Sequence, residues 1–395
     1  MVAFAEKARV VLAKVETTAG TDAAPTVGAN AVRTITATPG INLEVQEIPA
    51  ASGVLDDNEQ APNGGKMEPN VSVVLRGSGA AATAPDFDPL LQAAGFGVTN
   101  LASDVTGTAT AGGASTISIE DADISADGQY VGMIIELTAG TGYGAGLPKQ
   151  NRRLITGSVD TGAVLTVYPP WVTPPDTDTE YAIKACNLYK PISSGLKAAT
   201  LKLIERESGG GSARRFTSLG SRFNMQLNLP VRSNGTLTFA GQGALQAPDD
   251  LTDPGDPTLQ SSRPFSWLDA QTYLDGASIC MNALTLDLGN EVITRACPNE
   301  VYGYRTGDVP RRRATGTINP DATNVATRDV FSEWAAQSSV KLWTAFGPSA
   351  GNRVSIYIPE MIYGAVQPTP IDGFMHDNIS FLSGGQNQAV FLCFF

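Results

Sequence analysis

The chain has one histidine in 395 residues, so catalysis built on an imidazole pair is excluded. Its four cysteines, Cys186, Cys280, Cys297 and Cys393, lie far apart with no C-x-x-C pair. Such spacing supports neither a disulfide framework nor a zinc site, and four free, mostly buried thiols are expected. No run of about 18 apolar residues is present, so no membrane span and no membrane binding are expected. The start, "MVAFAEKARVVLAKVE", is broken by Glu6, Lys7 and Arg9 and does not read as a signal peptide, so the product is expected to stay in the cytoplasm where it is made. Positive charge is also short: 27 Lys and Arg against 39 Asp and Glu give −12. An acidic chain repels phosphate backbones, which excludes an ordinary nucleic-acid binder. Aromatics are only 7%, few for stacking on sugars.

Hydrophobic residues reach 42%, and the chain carries 41 glycines and 25 prolines. Helical periodicity is scarce, and the combination points to an all-β, turn-rich protein long enough for two domains. The pattern is clearest in "SLGSRFNMQLNLPVRSNGTLTFAG", residues 218–241. Phe223, Met225, Leu227 and Leu229 alternate with Arg222, Asn224, Gln226 and Asn228. Asn234-Gly235 is expected to turn the chain, and Leu237 and Phe239 repeat the alternation. One face is greasy; the other carries amides and no acid, base or nucleophile.

Two short helices are expected. "DFDPLLQAAGFG" has Asp88 as N-cap, Pro89 in the first turn and Gly95 at the end; "TRDVFSEWAAQSS" has Thr327 or Asp329 as cap and Phe331, Trp334 and Ala335 on one stripe. "TTAGTDAAPTVGANAV" reads as an extended arm, "RESGGGSARR" as a loose loop, and the terminal "AVFLCFF", apolar on both faces, as a buried central strand intolerant of truncation. From Val98 the texture changes to short strands every 10–15 residues between Gly, Pro and Asp turns, as in a small β-barrel. Residues 99–186 hold ten acids against Lys149, Arg152, Arg153 and Lys184, a net −6. They read as a small all-β domain inserted between two parts of one host domain, residues 1–98 and 187–395.

Motifs that could carry chemistry fail on inspection. His376 beside Asp377 would point to the opposite strand face, so a hydrogen-bonded structural histidine is expected. "GTGYGAG" has Ala145 where the third glycine of a dinucleotide loop belongs, and "NGGKM" lacks the rest of a phosphate-binding loop. "DADISADG" resembles a calcium loop with its glycine two positions late and no closing Glu, so an acidic turn is the better reading. No cofactor, metal or catalytic residue is assigned. "PRRRATGTINPD" concentrates positive charge at Arg311, Arg312 and Arg313, either as a solvated loop or as a contact with an acidic neighbouring copy.

An ordered set of segments resembles the tail tube proteins of long, flexible-tailed (siphovirus-type) bacteriophages. It comprises "VETTAGTDAAPTVGANAV", "MEPNVSVVLRGSG…APDFDPLLQAAGFG", the 213–243 hairpin with Gly220, Leu237, Phe239 and Gly241, "LTLDLGNEV", "GDVPRRRATGTINPDA", "FSEWAAQ", "AGNRVSIYIPEMIYG" and "IDGFMHDNISF". Together they cover residues 1–98 and 187–395, while 99–186 separately resembles a small β module of phage structural proteins. The resemblance implies two packed antiparallel sheets (a β-sandwich or barrel) with a flanking helix, six-membered rings and a stacked tube through which double-stranded DNA passes into the host. It also implies a place in the virion tail, assembly in the host bacterial cytoplasm, and tape-measure, tail-terminator and distal-tail partners. Four strands from each of six copies at ~4.8 Å spacing give about 115 Å of circumference and a bore near ~40 Å. On this reading Arg222, Asn224, Gln226 and Asn228 face the lumen. Arg311–Arg313 and the arm, with Thr17, Thr18, Thr21 and Asp22, make inter-subunit contacts, and the insert sits outside with few contacts to its host. The competing expectation is a cell-surface or carbohydrate-binding β protein of adhesin type. An enzyme is not expected.

Overall fold

The computed structural model describes residues 4, 6–48, 59–207 and 210–395. The reading of the first residues falls partly outside the described ones, as do positions 208 and 209 of the 206–215 loop. The described residues form an all-β fold, with short α-helices at Asp88–Ala93, Pro148–Asn151 and Val330–Ala335.

The organising strand is Ser212–Pro230. Its second half pairs with Thr236–Leu245 on one side and Met281–Asp287 on the other. The sheet continues antiparallel outward to Asn70–Val74 and Thr34–Thr38 in one direction. In the other it runs through Thr315–Pro320 and Phe374–Ser383 to Val354–Ile371. Val354–Ile371 also changes partners along its length. Its first residues lie between Val340–Phe346 and Phe391–Phe394, so the strand carries the chain from one sheet into the next. Strands this long can serve two sheets because bulges, such as that between Tyr363 and Ala365, bend them.

Phe223, Met225, Leu227, Leu229, Leu237 and Phe239 are buried in one cluster with Phe87, with Leu90 and Leu91 of the first helix, and with Ile356, Ile358, Leu392 and Phe394 of the second sheet. Period-two alternation thus places the greasy face between layers, as expected. Phe391–Phe394 is fully buried and paired on both sides, with Cys186–Pro191 and Val354–Ile371, matching its two-faced apolar sequence.

The turn of the central hairpin differs from expectation. Asn228 pairs with Thr236, leaving a seven-residue connection in which Arg232 takes φ +58° and Asn234 bridges Ser266. Pro230 and Val231 still follow the neighbouring strand, with Pro230 opposite Ala283 and the Val231 N–H donating to Asn282. The two strands therefore part before Asn234-Gly235, and the connection is longer than a two-residue Asn-Gly loop. At the first helix Phe87, not Asp88, is the N-cap. Asp88 is drawn inward, where its carboxylate accepts from Tyr189 Oη at 2.7 Å and Gln92 Nε2 at 2.8 Å. In the Val330–Ala335 helix Asp329 caps as expected, accepting from the Ser332 N–H at 2.9 Å, but Phe331 is exposed and Val330 is the buried residue.

Residues 99–186 fold mainly as a separate seven-stranded antiparallel sheet. Its order is Val105–Thr108, Glu180–Ile183, Ile134–Ala139, Arg152–Val159, Val164–Tyr168, Thr116–Ser118, Ala111–Gly113. The chain leaves the host on Phe96–Leu101 and returns on Cys186–Pro191, and these strands pair with Leu101 opposite Cys186. An insertion at the end of a two-stranded ribbon leaves host register untouched.

The expectation of few contacts with the host is not met. Tyr168, Trp171, Ile134, Ile183 and Leu154 share one buried cluster with Trp343, Ala345, Tyr357, Phe391 and Phe395 of the host's second sheet. Tyr168 Oη also donates to the Lys341 carbonyl and accepts from the Gly276 N–H. The insert is a second layer over the host sheet, joined through aromatic packing.

Candidate functional site: the polar sheet face

Strand pairing carries the wet side of the hairpin across seven neighbouring strands. One row runs Thr36, Ser72, Thr238, Gln226, Asp287, Thr315; the next runs Thr236, Asn228, Thr285, Thr317, Ser380. Hydroxyls join neighbouring strands directly, Ser72 to Thr238 at 3.0 Å and Thr285 to Thr317 at 2.6 Å. Cross-strand Thr and Ser pairs stabilise a sheet without adding charge.

In these two rows the only ionisable side chain is Asp287. It accepts from Asn224 Nδ2 at 2.7 Å, Gln226 Nε2 at 2.8 Å and the Gly289 N–H at 2.7 Å. Asn224 and Gln226 are thus tied to a carboxylate, while Gln226 and Asn228 remain exposed. A shallow groove of about 540 Å³ runs over Gln226, Asn228, Thr285, Thr317 and Ser380, with Arg313 also in its lining.

Of the four residues expected on the open face, the structure sets Arg222 apart. The hairpin Asn290–Ala296/Tyr304–Arg312 folds over that end of the sheet, and Arg222 Nη1 donates to Asp308 Oδ1 at 2.6 Å beneath it. The approach requires Gly220: its φ is +59°, and a methyl there would overlap the Thr306 side chain. Asn224 is half-buried at the margin, its Oδ1 accepting from the Asn290 N–H. The covering hairpin gave no signal in the sequence beyond its own turn residues.

The three arginines separate by alternation along their strand. Arg312 points inward, with Nε donating to Asn290 Oδ1 at 2.9 Å and Nη2 to the carbonyls of Gly95 and Ile192 at 3.2 and 3.3 Å. Burial pushes its guanidinium pKa down, and no carboxylate offsets the effect. Arg311 and Arg313 project outward; Arg311 lies 3.7 Å from Glu291 and is largely exposed.

The arm packs on its own subunit. Asp22 pairs with Lys202 Nζ at 2.7 Å, and the Ala23 N–H donates to Thr200 Oγ1. The Asp22 carboxyl is held below its ordinary value, hydrogen bonds from Lys202 and the Ala24 N–H outweighing its partial burial. Buried Glu16 anchors the arm, accepting from the Gly20 and Gly220 N–H groups and Thr200 Oγ1 at 2.7–2.8 Å. Thr17, Thr18 and Thr21 are exposed.

His376 is buried and contacts Asp321 Oδ1 at 3.1 Å through Nδ1 and Asn282 at 3.3 Å through Nε2. Only Nε2 has a hydrogen-bond partner; Nδ1 lies near Asp321, a residue the sequence did not single out, without forming a hydrogen bond. In the acidic turn Asp123 accepts from Tyr181 Oη at 2.6 Å. Among the described residues no group of three His, Cys, Asp or Glu is placed to hold a metal, and no helix is long and apolar enough to cross a membrane. No protein-family model and no curated protein matches the chain.

Proposed function

We propose that the protein is the tube subunit of a long, flexible bacteriophage tail. Six copies close a ring, rings stack, and the tube conducts double-stranded DNA from the virion into the host. The observation that carries this reading is the hydroxyl- and amide-covered sheet face. Gln226, Asn228, Thr238, Thr285, Thr315 and Thr317 offer water-like hydrogen bonding, and Arg222 is neutralised by Asp308. A phosphate backbone moving past it meets few fixed cations, so few counterions are released and little affinity develops. The subunit's role is structural, without catalysis or cofactor. It would assemble in the host cytoplasm with itself and with tape-measure, terminator and distal-tail proteins.

Self-association has a second support. The Ile41–Glu47/Gln60–Met67 hairpin exposes Ile41, Leu43 and Val45 on one side, Leu43 and Val45 by about 60% each. A contiguous apolar stripe on a protruding hairpin is a surface that another copy would cover. The test is negative-stain electron microscopy of the purified protein over a range of concentration and salt. Six-fold rings or tubes with an open bore are expected; monodisperse monomers under every condition would refute the reading.

A further inference from the structure

Two surfaces of the chain are opposite in charge: the acidic one forms no ion pair among the described residues, and the basic one only an exposed contact of Arg311 with Glu291 at 3.7 Å. The first is a cleft of about 410 Å³ between residues 191–196, 309–314 and 383–389. Arg312 forms part of its wall and Arg311 and Arg313 its rim, and no Asp or Glu lines it. The Arg312 guanidinium touches only amide and carbonyl oxygens. Arg312 is thus a half-buried cation with hydrogen-bond acceptors but no carboxylate beside it, which leaves its positive potential uncancelled at the cleft of a protein of net charge −12.

The second surface is a corner of the insert. The turns at 119–128 and 158–163 are tied together by Asp160 N–H to Asp127 Oδ1 at 2.8 Å, Gly128 N–H to the Ser158 carbonyl and Ile119 N–H to the Ala163 carbonyl. They present Glu120, Asp121, Asp127 and Asp160, all exposed. None of the four forms an ion pair among the described residues, whereas other acids of the insert do: Glu136 with Arg152 and Asp104 with Lys184.

We propose that the acidic corner of one copy docks on the arginine cleft of a second copy. Such a contact is heterologous, joining different patches of identical subunits, and so propagates into a ring or a stack. Arg311 and Arg313 supply planar forks suited to carboxylates, and Arg312 supplies fixed positive potential behind them. The inference rests on the proposed self-assembly and gives the insert a part in it: it is a clasp between neighbours. Exposed at its rim, the contact weakens as salt screens it over a Debye length of about 10 Å at 0.1 M.

The test is a charge swap in the full chain. One variant carries Glu120→Lys and Asp121→Lys, the other Arg311→Glu and Arg313→Glu; Arg312 is untouched because it bridges the Gly95 and Ile192 carbonyls. Sedimentation velocity at low and high salt is expected to find each variant alone associating at least tenfold more weakly than the parent. An equimolar mixture should recover, because each then meets its complement, and unchanged circular dichroism would establish that both variants fold. Variants that associate like the parent, or a mixture no better than its components, would overturn the contact. Micrographs of the same samples separate the two readings. Normal tubes from both variants would sink the clasp alone, whereas a parent forming no rings or tubes would sink the tube, with the swap still deciding whether the two surfaces meet.

Discussion

Replacing residues 102–185 by a four-residue Gly/Ser linker tests whether the insert is an independent passenger. The linker is geometrically easy because Leu101 and Cys186 already pair. The cost comes from the shared core. Trp343, Tyr357, Phe391 and Phe395 are at most 6% exposed and pack in the insert's cluster. Fully uncovering four such side chains would forfeit roughly 6–12 kcal/mol, at roughly 1.5–3 each. Half-uncovering them, since each keeps its own sheet neighbours, costs about 3–6 kcal/mol. The Gly276 N–H also loses its Tyr168 acceptor. Against a total stability of about 5–15 kcal/mol this is severe. The variant is expected to be largely insoluble, or to melt roughly 10 °C or more below the parent with raised dye binding to exposed apolar surface. A soluble variant melting within about 2 °C of the parent would refute the reasoning and make the insert a passenger.

Three further outcomes are expected. Changing Asn224, Gln226 and Asn228 to Lys should make assembled particles retain DNA in a salt-dependent way. Asp287 neutralises about one of the three new charges, so the log–log salt slope should steepen by about two contacts' worth, ~0.9 each, in a filter-binding titration; no gain would place this face away from the lumen. Glu16→Ala should cost roughly 3–5 kcal/mol in urea unfolding, since three donors, two of them buried, lose their acceptor, and Glu16→Gln less because one oxygen remains; a loss under about 1 kcal/mol would contradict the anchoring role. Burial raises the Asp88 carboxyl pKa above its ordinary value, so the folded state holds the proton more tightly than the unfolded one. Its contribution is greatest below the ordinary carboxylate range and falls as pH rises through the raised folded value. Asp88→Asn should therefore gain stability relative to the parent as pH rises across that window, and a pH-independent difference between the two would refute it.

What the sequence made legible was what repeats locally. The alternation at 222–229 set the face of each side chain, Asp329 announced its helix, and charge with turn spacing outlined residues 99–186. The same alternation, applied to residues 311–313, separates inward Arg312 from its outward neighbours, so that signal was present in the sequence. Other features carried no local signal. The aromatic layer joining Tyr168 to Trp343 spans more than a hundred positions, and no periodicity marks a contact of that separation. Asp88 had the type and position of a cap, yet the Tyr189 hydroxyl from a distant strand claimed its carboxylate.

The hydroxyl and amide rows across the sheet also have a mechanical meaning. One exposed ion pair of about 1 kcal/mol, met anew with each phosphate at ~3.4 Å spacing, amounts to a holding force of roughly 20 pN. Several acting in register would stall a polymer driven by modest pressure. Hydroxyls and amides exchange partners with water at nearly constant energy, so the landscape along the axis is flat. As a channel wall, the Thr, Ser, Asn and Gln side chains around Asp287 would act as a low-friction bearing, with ordered water as the lubricant.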